Sequence, residues 1–187
     1  MKKLVLASGS IRRRELLEEQ GFKFEVWPSH AEETLEAHLT PMENALNLAK
    51  MKALSVAQEK EGVILAADTL VAIRDIILGK PKDYEDALRM LKMLSGTFHE
   101  VITAFFIYDT TTKKYKSQAV VTKVKFKKLT DSDIEGSLKH SHFMDKAGAY
   151  GIQSQQEDLI EDLQGSYSNV MGLPMEEVIG ALKAFGF

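Results

Sequence analysis

The chain contains no cysteine, which removes disulfides, thiolate catalysis and cysteine-ligated zinc together and fits a reducing compartment. No apolar run reaches membrane-spanning length. The opening "MKKLVLASGS" places two lysines before an apolar run of only Leu4 to Ala7, with "RRR" directly after it. It therefore reads as a first strand rather than a secretion signal, and the expected location is the cytoplasm, with no membrane partner. Positive charge is not in excess either. Lys and Arg number 24 against 27 Asp and Glu, a net charge of -3, which argues against a protein that coats nucleic acid and confines any anion site to a local cluster. Internal repeats and low-complexity linkers are absent. What is present is an ordinary globular composition, 44% hydrophobic and 27% charged over 187 residues, enough for a single domain over 1–187 whose core needs no covalent staple.

Hydrophobic pattern and turn chemistry organise the chain as α/β. Leu4 to Leu6 is a short buried strand, followed by the Ser8-Gly9-Ser10 turn with Ser10 as N-cap of a helix running to about Gln20, Leu16 and Leu17 inward and Gly21 as stop. "FKFEVW" alternates, so Phe22, Phe24 and Val26 are expected on one strand face. After a polar loop, Thr40-Pro41-Met42-Glu43 forms a capping box for a helix to about Gln58, with Ala45, Leu48, Ala49 and, as polar intruder, Lys52 on one face. "VILAADTLVAI" is a strand, "RDIILGKPKD" a hairpin return and loop, and Asp83 caps a helix over 84–94 with Tyr84, Leu88 and Leu91 on one face. Two long strands, a short helix over 130–138, an irregular "DKAGAYGIQ" and a terminal helix opened by Pro174, with Met175, Val178, Ile179 and Leu182 inward, complete the pattern. The expected architecture is a mixed twisted sheet flanked by helices, with two lobes and a cleft.

Two anomalies point to chemistry. Asp68 interrupts an apolar strand, and a carboxylate there needs a partner: it is either a loop cap or ion-pair member, or a metal ligand or general base. Arg12, Arg13 and Arg14 crowd a helix start that already carries partial positive charge, so either they lie on a wet surface or an anion such as phosphate sits there, with Arg14 the one most exposed to water. Lys52, and Lys80 in "LGKPKD", are further phosphate partners if they are not surface residues; "GKP" is no Walker motif. Glu32 and Glu33 offer a second carboxylate for magnesium. "HSHFMD", with His140, His142 and Asp145, matches no common zinc spacing, and the "SGS" turn lacks a nucleophile-elbow pattern.

Taken together, "LASGSIRRRELL", "EE" at Glu32 and Glu33, "LAKMKA", "AADT", "GKPKD", "MLSGTFHEVITA", "DKAGAYGIQ" and "GSYSNVMGLP" resemble, in order along nearly the whole chain, the Maf family of nucleoside triphosphate pyrophosphatases. The resemblance implies an elongated, two-lobed α/β fold with a central cleft, of the Maf and ITPase kind. It implies hydrolysis of a nucleoside triphosphate to the monophosphate and pyrophosphate. By that resemblance Asp68 activates water, Glu33 joins it in holding a divalent metal (magnesium or manganese), and Lys52 and Lys80 face the phosphates. Ser8, Ser10, Arg12 and Arg13 match a phosphate-binding loop. Arg12, Thr69 and Gln153 resemble the pyrimidine-selective branch acting on dTTP and UTP. Ile11 stands where many relatives carry proline. The implied partner is the nucleotide, not nucleic acid, with a homodimer left open. The alternative reading is a nucleotide-binding regulator of cell division or septation with little turnover.

Overall fold

The computed structural model describes residues 2–140, 142–152 and 158–187. In chain order the elements are β1 (Leu4–Leu6), α1 (Ile11–Glu19), β2 (Glu25–Val26), α2 (Pro41–Val56), β3 (Val63–Ile73), β4 (Ile76–Leu78), α3 (Tyr84–Leu94), β5 (Phe98–Asp109), β6 (Tyr115–Phe126), α4 (Asp131–His140), two 3-10 turns (Phe143–Asp145 and Ala147–Ala149), β7 (Ile160–Gln164), α5 (Tyr167–Met171) and α6 (Met175–Ala184). The seven strands form one sheet in the order β2-β1-β3-β5-β6-β7, with β4 pairing β3. β1 lies parallel to both β2 and β3, whereas β3 with β4 and β6 with β7 are antiparallel, so the sheet is mixed and α/β as expected.

The chain divides into two compact units. The first comprises residues 1–68, 103–120 and 172–187, and its core is built on β1 and the first half of β3, where Leu4 to Ala7 and Val63 to Ala67 are all buried. Parallel neighbours cannot be joined by a tight turn. The crossover from β1 to β3 therefore carries α1, β2 and α2. Ser10 caps α1 by accepting from the Arg13 backbone N–H, and Thr40 and Glu43 close the full capping box that starts α2. Gly62 enters β3 at φ +133°, and a Cβ there would lie 2.6 Å from the Lys3 carbonyl oxygen, so only glycine fits.

The second unit comprises 69–102 and 121–171. Its core includes Asn169, fully buried, whose amide donates to the Val101 carbonyl and to Thr122 Oγ1, both at 3.0 Å. A buried amide must be matched in this way.

Several expected faces shift. β2 is only two residues, Val26 is exposed, and Phe22 and Phe24 are half-buried, because the segment is an edge strand held only by β1. In α3 the inward stripe is Ala87, Met90, Leu91 and Leu94; Tyr84 is exposed and Leu88 half-buried, the true stripe lying one position round the helix. In α6, Ala181 rather than Ile179 completes the buried face.

Candidate active site

The loop after β1 turns on its own side chains. Ser8 is buried, and its Oγ accepts from the Ser10 N–H at 3.3 Å and from the Arg13 guanidinium at 3.1 Å. Arg13 Nε also donates to the Gly172 carbonyl at 2.7 Å. The guanidinium is thus held from two sides, by a hydroxyl of the loop and a backbone carbonyl contributed from the start of the α6 segment. Gly172 adopts φ +114°, a conformation that L side chains rarely adopt. Burial lowers the Arg13 pKa; the charge of Asp68 opposes this, Arg12 adds to it, and Glu33 opposes it. Arginine nonetheless stays protonated at any ordinary pH. Arg12 is half-buried beside it, while Arg14 is exposed and engages Glu18 at 3.5 Å, as its separation from the other two arginines predicts.

The second part of the site is a three-residue ion cluster. Lys52, on the inward face of α2, donates from Nζ to Asp68 Oδ1 at 2.6 Å and lies 3.0 Å from Glu33 Oε1. The side chains of Lys52 and Asp68 are 12% and 6% exposed, and that of Glu33 is 51% exposed. Of the alternatives left open for Asp68, the ion pair is the one the structure shows. Asp68 pairs through Oδ1, yet its Oδ2 is buried without a hydrogen-bond partner among the described residues. Burying a carboxylate oxygen unmatched is costly, so this atom is poised for a proton donor or a cation. The donor set, two carboxylates, consists of hard oxygen ligands, and magnesium or manganese fits it when a substrate supplies further oxygens. Among the described residues no group of three His, Cys, Asp or Glu gathers as a self-sufficient metal site.

Of the remaining candidates, Thr69 follows Asp68 on β3 and is half-buried. Lys80 is exposed in the loop after β4, within the second unit. Gln153 lies outside the described residues. Glu32 is exposed and, among the described residues, makes no bond comparable to that of Glu33 with Lys52. His142 is exposed, and Asp145 pairs with Lys146 at 3.1 Å.

Sequence reasoning missed the Gly172 carbonyl, since any residue has one and only the fold aims it. It also passed over His99, 2% exposed, whose Nε2 shares a 2.6 Å hydrogen bond with the buried Tyr150 hydroxyl while both rings pack edge-on against Phe126. Burial lowers the His99 pKa from 6.5 to about 4 and raises that of Tyr150. Because the unfolded chain binds this proton first, the stability from neutral His99 is complete above pH 6.5 and is lost as pH falls toward about 4. Urea unfolding at pH 7 and pH 5 should show the parent losing roughly 2 kcal/mol more than a His99→Gln variant. Equal losses in both would remove His99 from the acid response.

A family model described as Maf-like protein matches residues 3–185. A dTTP/UTP pyrophosphatase of Acetivibrio thermocellus is 44% identical over 194 aligned positions, covering 100% of this chain and 96% of that protein. Another, of Carboxydothermus hydrogenoformans, is 45% identical and covers 99% of this chain and all of its own length. Among solved structures, a HAM1 protein from Coxiella burnetii superposes with a TM-score of 0.54 at 15% identity, over 98% of this chain and 100% of that one, a likeness of fold. No helix among the described residues is long and apolar enough to cross a membrane.

Proposed function

The chain belongs to the Maf family, and on that premise we propose that it hydrolyses dTTP and UTP to the nucleoside monophosphate and pyrophosphate. The observation that carries the reading is the division of labour within Asp68: Oδ1 is fixed by Lys52, and the buried Oδ2 has no partner among the described residues. A carboxylate oriented through one oxygen and open at the other is the arrangement a general base requires.

Asp68 Oδ2 takes the proton of the water that attacks the α-phosphorus. Lys52, Arg12 and Arg13 supply three positive charges against the two carboxylates Asp68 and Glu33, so the cluster has a surplus for a polyanion. Phosphoryl chemistry depends mainly on such positioning and charge rather than on a covalent nucleophile. Arg13 enters already oriented by Ser8 and Gly172, so less rotamer freedom is lost on binding. The Ser8 hydroxyl accepts both bonds described and still has its own proton to donate to a phosphate oxygen. A magnesium or manganese ion, held by Asp68 and Glu33, would supply Lewis acidity at the phosphate and a lowered pKa for bound water. Lys80 contributes a further cation, and Arg12, Thr69 and Gln153 set the pyrimidine preference; these four roles rest on the family motifs. The nucleotide is the one partner this reading requires, and a cytoplasmic location fits a chain without cysteine and without a membrane-length helix among the described residues.

Attack at the α-phosphorus has a distinct isotopic signature. Turnover of UTP in water enriched in oxygen-18, followed by phosphorus NMR, should place the label in the monophosphate with unlabelled pyrophosphate. Label in pyrophosphate or in orthophosphate would contradict the proposed bond cleavage.

A further inference from the structure

Lys52 does more than neutralise Asp68. Its ammonium sits 2.6 Å from Asp68 Oδ1 and 3.0 Å from Glu33 Oε1, so one cation joins a buried carboxylate from β3 to an exposed one from the loop before α2. Without that bridge, nothing among the described hydrogen bonds or ion pairs ties Glu33 to Asp68. We propose that Lys52 is a resident cation of this pair, holding the two carboxylates together and competing with the divalent ion for them, so that the ion binds effectively only together with the nucleotide triphosphate. The inference rests on the reading of Asp68 and Glu33 as metal ligands.

Two carboxylates with an ammonium between them carry one net negative charge, half of what they would offer a dication alone. Magnesium binds through one or two carboxylates plus substrate phosphates and gives up its waters reluctantly, so two partly neutralised ligands make a weak site for the bare ion. A triphosphate changes both sides of this balance. It brings additional oxygens for the metal, and it offers the Lys52 ammonium a new anionic partner. Lysine suits the exchange because its charge is a compact point on a flexible four-carbon stem with three rotatable donors; an arginine fork would be tied to one geometry. Lys52 occupies Oδ1 of Asp68, so the ion gains that oxygen only as the ammonium moves to the triphosphate, while Oδ2, without a partner among the described residues, stays open for the water proton.

The test reads metal affinity, not turnover. Manganese binding is measured by the electron paramagnetic resonance of the free ion for the parent, Lys52→Met, Asp68→Asn and the double variant, without nucleotide, and for the parent with a non-hydrolysable α,β-methylene UTP. The expected result is weak binding by the parent alone and binding about tenfold or more tighter in K52M. That gain should vanish in the double variant, and the parent should bind tightly with the analogue. Should K52M fail to fold, Lys52→Gln, which keeps a donor without the charge, should tighten binding in the same direction by less. Equal manganese affinity in the parent and the Lys52 variant, with Asp68→Asn still weakening it, overturns the competition while leaving metal ligation by Asp68 intact. Manganese affinity left unchanged by Asp68→Asn, in the parent background and in the Lys52 variant alike, contradicts the ligand reading and the inference with it.

Discussion

Replacing Asp68 with asparagine should lower kcat for UTP by on the order of a thousandfold or more, with the folded structure retained. The substitution is nearly isosteric, and asparagine Oδ1 can still accept the Lys52 bond now made at 2.6 Å, so the packing around β3 is preserved. What changes is the atom at the Oδ2 position: an acceptor with no described partner becomes an NH2 group that donates and cannot take a proton. The residue loses its base function and one negative charge toward a cation in the same step. Stability should fall by only about 1–2 kcal/mol, because Lys52 keeps Glu33 and a neutral acceptor. Circular dichroism and urea unfolding check the fold, and pyrophosphate release checks the rate. Turnover within tenfold of the parent in a folded D68N protein would remove Asp68 from the chemical step.

Arg13→Lys is expected to reduce kcat/KM by about a hundredfold although the charge is kept. Arg13 uses its Nε for the Gly172 carbonyl at 2.7 Å and a terminal nitrogen for Ser8 at 3.1 Å, two directions at once. A lysine ammonium cannot reproduce this planar fork, so the cation would lose its fixed position and the Gly172 carbonyl its donor. The readout that separates positioning from charge is the comparison with Arg13→Met. If charge alone mattered, the lysine variant would resemble the parent; if orientation matters as argued, lysine should recover only a minor part of the loss seen with methionine. Arg14→Ala, by contrast, should leave kcat/KM within about twofold, since that side chain is exposed and pairs only with Glu18 among the described ion pairs.

The site was legible in the sequence to the extent that its residues break a local rule. Asp68 is a charge in an apolar strand and Lys52 a charge on an apolar helix face, and the structure brings the two to 2.6 Å. Ser10 announces itself as an N-cap, and the capping box at Thr40 appears as read. The role of Arg13 was only half legible. Three arginines at a helix start suggested an anion, but one of the partners that orient Arg13 is a backbone carbonyl 159 positions away, and a carbonyl has no sequence signature. Glu33 could be singled out from Glu32 only through the family motifs, because both lie in a polar loop and spacing does not say which one turns toward Lys52. The errors of the fold reading have similar causes. Leu91 belongs to two overlapping helical stripes in α3, and periodicity alone favoured the bulkier residues Tyr84 and Leu88 over the small Ala87 that packs closely. The alternation of Phe22, Phe24 and Val26 suggested a longer strand than the two-residue edge that forms. β7, with the polar sequence "IEDLQ", gave no strand signal at all; it exists through its antiparallel register with β6, Val124 opposite Leu163.

The most direct test of the account is a panel of nucleoside triphosphates assayed for pyrophosphate release with magnesium or manganese, comparing dTTP and UTP with CTP, dATP, GTP and ITP. The account predicts metal-dependent pyrophosphate release with kcat/KM for dTTP and UTP at least tenfold above the others, a difference of about 1.4 kcal/mol in transition-state binding. Equal turnover across the panel, or tight binding of dTTP and UTP with no pyrophosphate released in the presence of either metal, would contradict it.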